Sequence, residues 1–469
     1  MEQLDVQSMD SVRPTGTLEL DSEMIADLQS LIDFNSRPMV LNILADVHPA
    51  DIASLVHHLS RQDAGTVLGW LTSEVAGDVI VELDDDFRAN LLEDVEPARL
   101  TAVLDEMDTD DAADVLSDLP SELAEAVLLT LEDAEDVGAL LNYHEETAGG
   151  IMAAEFVAVH TDWTVEQATE EVRRNAEEVE HVYGVYAVDR DNALRGFVPL
   201  KRLLLSPAVA MIETVMDADP ICVETSVDQE EVARVMERYD LVSLAVVDES
   251  GRLAGRITID DIVDVIREEA EEDIQRMSGV AGGEEATDSV LRVVRGRLPW
   301  LLAGMLGAGF AAAVILQFED ALAASAILAG FIPIVMATAG NAGIQSSAIA
   351  VQGLAAGDIW AADLMPRIWR EVAVSVLNGI AVAIILGLAI VAVDAAGLIA
   401  INNPVRLAGT ASLALVLVII LATTIGATIP LLLDKAGIDP ALATGPFITT
   451  SNDILGILVF FLLAEALYL

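Results

Sequence analysis

Asp453 sits near the middle of the last long apolar run, from Ala443 to about Leu467, directly after Thr449, Thr450, Ser451 and Asn452. It is the one acid in the interior of that run, which contains no Lys, Arg or His. An ionised carboxylate at the centre of a bilayer costs roughly 2.5–3.5 kcal/mol even on lenient insertion scales. Such a group faces water, a cation or a partner, so its position suggests an ion path. A second polar break falls in the second apolar run, at Thr338, Gly340, Asn341, Gly343, Gln345, Ser346 and Ser347. Glycines and amides at that depth suit backbone that lines a water-filled cavity.

Five helices make a thin wall for a pore within one subunit. A two-fold homodimer would bring two copies of the second and fifth runs around a shared axis. Two Asp453 carboxylates would then form a minimal acidic ring selecting cations. Mg²⁺ gives up its water reluctantly, which suits a wide ring of carboxylates, hydroxyls and amides. Ca²⁺, Mn²⁺ and Co²⁺ fit the same argument.

Five apolar stretches are long enough to span a bilayer: about 299–318, 325–353, 371–394, 407–433 and 443–467. Arg292, Arg295, Arg297, Arg367, Arg370 and Lys435 all fall on the side of the N-terminal half, and Arg406 alone dissents. The positive-inside bias places that half in the cytoplasm and, with five spans, the C-terminus outside. Met1 opens a polar stretch with no signal-peptide core, in keeping with a multi-pass protein of the plasma membrane.

Charge divides the chain. Of the 469 residues, 1–289 carry a net charge of −50 and 290–469 only −3, which reconciles a mean hydropathy of +0.50 with 22% charged residues. That acidity argues against nucleic acid and anionic lipid as partners of the soluble half, and divalent cations are its natural ligands. Only Lys201 and Lys435 are lysines, so salt adaptation accounts for many of the acids as surface charge. The lone Cys222 excludes an internal disulfide.

Residues 48–131 repeat every twelve positions, from HPADIASLVHHL to PSELAEAVLLTL. Each unit ends on an apolar residue and carries an apolar pair three and four positions earlier, which predicts one short amphipathic helix per unit. Ser60, Thr72, Asp84, Asp108 and Pro120 stand at helix starts. The expected result is a helical solenoid. A second repeat follows, strand–helix–strand–turn–strand, through Thr164–Gln167, Ala187–Asp189 and Leu194–Gly196, and again through Ser226–Gln229, Val246–Asp248 and Leu253–Gly255. It resembles a tandem of CBS domains, which often sense adenine nucleotides. Gly255-Arg-Ile-Thr258-Ile-Asp-Asp261 matches the nucleotide pattern, with Thr258 and Asp261 placed for phosphate and ribose. The first copy, Gly196-Phe-Val-Pro199, lacks that pair, so one ATP site is expected at most. Beyond Asp261 an acidic helix leads towards the first span.

This order resembles the MgtE family of magnesium channels over nearly the whole chain. Its specific motifs are Gly340-Asn-Ala-Gly-Ile-Gln345-Ser, Asp439-Pro-Ala-Leu, and Pro446-Phe-Ile-Thr-Thr-Ser-Asn-Asp453-Ile-Leu-Gly456. The resemblance implies a multidomain fold with a tail at 1–20, an all-α solenoid at 21–146 and α/β CBS domains at 147–206 and 207–267. An acidic connecting helix at 268–291 and a five-helix transmembrane domain at 292–469 complete it. It implies a dimeric Mg²⁺ channel, not an enzyme, mediating uptake and closed by cytosolic Mg²⁺. Asp453 would bind the permeating ion with Asn341, Gln345 and Thr449, and Asp439 would lie near the cytoplasmic pore mouth. Asp78, Asp110, Asp114, Asp228, Glu230, Asp240, Asp261, Asp264, Glu269, Glu272 and Asp273 would be the sensor ligands. Gly445 and Thr449 depart from the usual family residues, as do Arg267 and Glu271 in the connector.

Three other readings compete. An anion channel would want basic residues inside the spans, which have none. An intramembrane metalloprotease needs H-E-x-x-H, yet all six histidines lie before residue 182. A membrane-anchored nucleotide sensor without transport leaves Asp453 unexplained.

Overall fold

The computed structural model describes residues 22–176, 179, 181–280, 282, 284, 290–356, 364–443 and 445–469. The tail expected at 1–20 lies outside them. The chain divides into two compact units, Met1–Val263 and Asp264–Leu469.

The first unit opens with ten short helices. They are α1 (Ser22–Asp33), α2 (Arg37–Leu44), α3 (Pro49–His57), α4 (Arg61–Trp70), α5 (Ser73–Val81), α6 (Asp85–Leu92), α7 (Pro97–Leu104), α8 (Thr109–Ser117), α9 (Ser121–Leu128) and α10 (Ala134–Leu140). Helices α3 to α9 each occupy one twelve-residue unit. The apolar pairs Leu55/Val56, Val67/Leu68, Val79/Ile80, Leu91/Leu92, Val103/Leu104 and Val115/Leu116 are all buried. At roughly 1.5–3 kcal/mol for each large apolar side chain, these pairs hold the stack together. Alternate helices pack on one another, α3 on α5, α5 on α7 and α7 on α9, so two units make each turn of the solenoid. Ser60 caps α4 through the Asp63 amide at 3.2 Å, whereas Thr72, Asp84, Asp108 and Pro120 hold N-cap positions without a side-chain cap bond.

The CBS pair follows. The first copy runs β1 (Ala158–His160), α11 (Val165–Arg174), β2 (Gly184–Val188), β3 (Leu194–Pro199), α12 (Leu200–Leu205), α13 (Ile212–Val215) and β4 (Asp217–Ala218). The second runs β5 (Cys222–Glu224), α14 (Gln229–Arg238), β6 (Ser243–Val247) and β7 (Leu253–Thr258). In each copy the leading pair is parallel, the second antiparallel, and a register shift falls at the same place, Ala187/Val188 and Val246/Val247. The hairpins of the two copies exchange backbone bonds, Leu194 N to Gly251 O and Leu253 N to Asn192 O, both 3.1 Å. The segment around Met152, inside the span 147–206 expected for the first copy, pairs with the second: Ala153 and Arg256 exchange bonds of 2.8 and 2.9 Å. Gly255 permits this approach, since a Cβ there would stand 2.7 Å from Ala153 O. Period-2 patterning gives a strand its buried face, not its partner, so this crossing was not legible.

Helix α15 (Ile259–Met277) carries the chain from the first unit into the second. There α16 (Val290–Gln317), α17 (Glu319–Ala324), α18 (Ile332–Ala355), α19 (Leu364–Ala395), α20 (Pro404–Lys435) and α21 (Pro446–Leu463) follow. Among the described residues five helical segments are long and apolar enough to cross a membrane: Val290–Gln317, Ala326–Ala355, Met365–Ala395, Pro404–Lys435 and Pro440–Tyr468. The first begins nine residues before the expected run, because a helix continues into its charged end where the apolar pattern has already stopped. Helix α20 is the hub, packing against α18, α19 and α21. Arg406, the dissenting charge, donates its Nε to Leu467 O at 2.5 Å, and Tyr468 donates its hydroxyl to Asn402 O at 2.8 Å. That arginine ties down the C-terminal end of the last helix.

Candidate ion path and carboxylate cleft

The ion-path candidates lie on α18 and α21, two helices that pack against each other. Asn341 and Gln345, one turn apart, are exposed on α18, while Ala339, Gly343 and Ser347 on its other side are buried. On α21 Thr449 and Asp453, also one turn apart, are both half-buried. A Cβ on Gly340 would stand 3.8 Å from the Thr449 methyl, so Thr449 meets α18 one residue before Asn341. The helices meet closely because the contact positions are small, as expected for packing without a hydrophobic drive in lipid.

Asp439 lies just ahead of the fifth span, where its Oδ1 accepts the Ala441 amide at 2.7 Å and its Oδ2 pairs with Arg276 of α15. Arg276 also pairs with Glu272. Burial, with Asp439 next in effect, pushes the Asp273 carboxyl above its ordinary value. Asp264 is exposed and pairs with Arg267 at 2.9 Å, and Glu269 is half-buried.

In the first unit a cavity of about 130 Å³ is lined by Asp78, Asp108, Asp110 and Asp111 from the solenoid, and by His181, Arg256, Thr258, Asp260 and Asp261 from the CBS pair. Asp110 is 8% exposed. Burial raises its carboxyl well above the carboxylate range, and Asp111 and Asp261 add to the effect. Burial likewise lifts Asp111 to about 8, helped by Asp261 and Asp108, and Asp261 to about 6. A crowded group of acids in a low-dielectric cleft holds protons, or takes a cation in their place. Arg256, 3% exposed, lines the cavity with its Nη1 donating to His181 O at 2.5 Å.

Four expected sensor ligands lie elsewhere. Asp114 is off the cavity wall, close enough to Arg88 and Asp118 for their charges to act on it. Asp228 caps α14 through the Glu230 amide at 2.9 Å, Glu230 stands 3.6 Å from Arg234, and Asp240 is exposed with a left-handed φ of 51°. Among the described residues no group of three or more Asp, Glu, His or Cys side chains is ready-made for a metal ion. Thr258 and Asp261 do come together: the threonine amide and hydroxyl donate to Asp261 Oδ2 at 3.1 and 2.9 Å, and the hydroxyl also reaches Asp260.

The family models match in the same order as these elements. The intracellular N domain of MgtE covers residues 47–146, CBS domains cover 148–207 and 212–268, and the MgtE divalent cation transporter model covers 332–463. The magnesium transporter MgtE of Thermus thermophilus is 33% identical over 96% of this chain and 99% of its own length. The chain belongs to the MgtE family. The Enterococcus faecalis magnesium transporter MgtE is 35% identical over 71% of this chain and 72% of its own length. A crystal structure of the cytosolic domain of the Mg²⁺ channel MgtE in complex with ATP is 34% identical, covering 51% of this chain and 99% of that one at a TM-score of 0.49.

Within this MgtE-family chain, sequence reasoning passed over three residues that the structure brings forward. Asn452 is 2% exposed and donates to Ala339 O at 3.4 Å. Its signal was an amide inside an apolar run. Arg276 was hidden among the connector acids, though it closes that acidic helix. Glu371 accepts the Ser346 hydroxyl at 2.9 Å, joining α19 to α18, and was legible only as the polar start of the third run.

Proposed function

We propose that two copies of this chain assemble into a Mg²⁺ channel of the plasma membrane, with Asp453 meeting the permeating ion. The observation that carries this reading is Asp453, a half-buried carboxylate inside the fifth span, on a helix packed against the one that exposes the amides Asn341 and Gln345. In a single copy those amides are exposed on a helix that otherwise belongs in lipid, and a second copy would turn them inward to a shared axis. The names of the relatives support Mg²⁺ as the ion. Uptake would run inward, with the N-terminal half cytoplasmic and the C-terminus outside, as the arginines and Lys435 argue.

Cytosolic Mg²⁺ would bind the carboxylates of the Asp78–Asp110–Asp261 cleft and of α15 and close the channel. Removing protons from Asp110, Asp111 and Asp261 leaves repulsion that a divalent ion relieves. ATP is proposed at Thr258 and Asp261. It would have to compete with the carboxylates that already hold the threonine hydroxyl.

Mg²⁺ uptake into liposomes containing the full-length chain tests the pore. Asp453→Asn and Asp453→Ala should abolish flux while the protein remains folded, and wild-type flux in either would remove the assignment.

A further inference from the structure

We propose that Asn452 is a positioning residue for Asp453: its side chain, seated in a notch at Gly343, fixes the rotation and depth at which α21 presents the neighbouring carboxylate. The inference rests on the pore reading and adds a residue that need not touch the ion.

The notch is defined by space. A Cβ on Gly343 would lie 1.9 Å from Asn452 Nδ2 and 2.8 Å from Ile448 Cγ2, so only glycine admits this amide. Its floor is fixed from behind, because a Cβ on Gly426 of α20 would lie 2.3 Å from Gly343 O. One turn further along α21, a Cβ on Gly456 would meet Val335 and Val418 at 3.3 Å and Ala339 at 3.4 Å. Helix α21 is therefore seated on α18 at two successive levels, with α20 behind the first and in contact at the second. Adjacent residues on a helix point about 100° apart, so locking Asn452 sets where Asp453 points.

Packing alone does not call for an amide here. Asn452 Oδ1 is buried with no hydrogen-bond partner in the protein, and its Nδ2 has only the 3.4 Å bond to Ala339 O. An unsatisfied buried polar atom costs about 1–3 kcal/mol. An aliphatic residue would avoid that cost, but a branched side chain does not fit a flat slot over a glycine. The energetic expense is spent on one orientation of the helix. A charge that binds an ion needs its geometry held to about 0.5 Å by such supporting contacts.

The test uses full-length protein in liposomes, reading Mg²⁺ uptake, the ratio of Mg²⁺ to Co²⁺ uptake, and thermal unfolding of the same samples. Asn452→Ser empties the notch and Gly343→Ala fills it, and each should lower Mg²⁺ uptake by between about 10-fold and 10²-fold and change the ion ratio. The pair Gly343→Ala/Asn452→Ser should recover most of both, since the new methyl takes the space the amide left. A residue that merely stabilises the bundle would move the unfolding temperature and leave the ratio of the folded protein unchanged. Wild-type uptake and ratio in the folded single variants overturn the proposal. Gly456→Ala, with its milder contacts, decides the matter if Gly343→Ala does not fold: a changed ratio supports the seat and an unchanged one overturns it. Asp453→Asn is run alongside. Wild-type uptake there removes the pore reading itself, whereas lost uptake there with unaltered ratios elsewhere removes only the role of Asn452.

Discussion

Arg276, in the last turn of α15, forms an ion pair with Asp439, the residue that opens the turn leading into the fifth span. The guanidinium also holds Glu272 on its own helix. Three residues further on, the chain runs against the start of α21, where a Cβ on Gly445 would meet Gly279 Cα at 3.3 Å. In this arrangement a fixed cation ties the connecting helix to the entry of the fifth span.

On the proposed closure by cytosolic Mg²⁺, this ion pair helps hold the connecting helix in place, and breaking it should disfavour closure. The pair is partly exposed, at 30% and 26%, so its loss is worth about 1 kcal/mol or less, a factor of about five at most. Arg276→Gln should raise the internal Mg²⁺ that half-closes the channel by that factor. The swap Arg276→Asp with Asp439→Arg should bring it back. Flux measured against internal Mg²⁺ gives the answer, and an unmoved midpoint in Arg276→Gln assigns the pair no part in closure.

The cleft acids predict a pH dependence whose sign can be worked out. Asp110 and Asp111 have folded pKa values raised above those of the unfolded chain, Asp111 to about 8. Between about pH 4 and 8 the native state then holds more protons than the unfolded state, so these groups weaken stability as pH rises through that window. Without Mg²⁺, the unfolding temperature of the soluble unit within the full chain should fall from pH 5 to pH 8. Saturating Mg²⁺ should flatten the decline, and Asp110→Asn should reduce it. A metal-free profile unchanged by Asp110→Asn would show that the cleft does not carry this effect.

The solenoid was legible because its twelve-residue period repeats both an apolar pair and a helix start, so one rule applied seven times. The five spans were legible from length alone. Contacts that join distant segments were not. Nothing in the spacing of Ala153 and Arg256 announces that the first CBS copy lends its leading segment to the second. Asp114 and Asp110 share a helix and a residue type, yet Asp110 lines the cleft while Asp114 lies by Arg88 and Asp118. Helical periodicity places residues four apart on one face, but the curvature of the solenoid decides which neighbour each end of that face meets. At Asn452 the sequence showed an amide in an apolar run, while its notch depends on two glycines from two other helices.

A side-chain cap across the first unit yields a stability prediction independent of ions. Glu155, in the segment leading into the first CBS copy, accepts the Thr109 amide at 3.1 Å and the Thr109 hydroxyl at 2.8 Å, at the first turn of α8. The Ala154 amide donates to the same hydroxyl at 2.9 Å, closing a small network. A carboxylate at a helix N-terminus satisfies orphan amides and opposes the positive end of the dipole, and losing such a cap costs about 1 kcal/mol. Glu155→Ala should destabilise the soluble unit by about that amount and expose the α8–α9 region to protease without Mg²⁺. Glu155→Gln keeps one acceptor and should lose less. Thr109→Val removes the hydroxyl from both partners, so adding it to Glu155→Ala should cost less than the sum of the single changes. Full additivity in that cycle would mean that the two side chains do not act through each other.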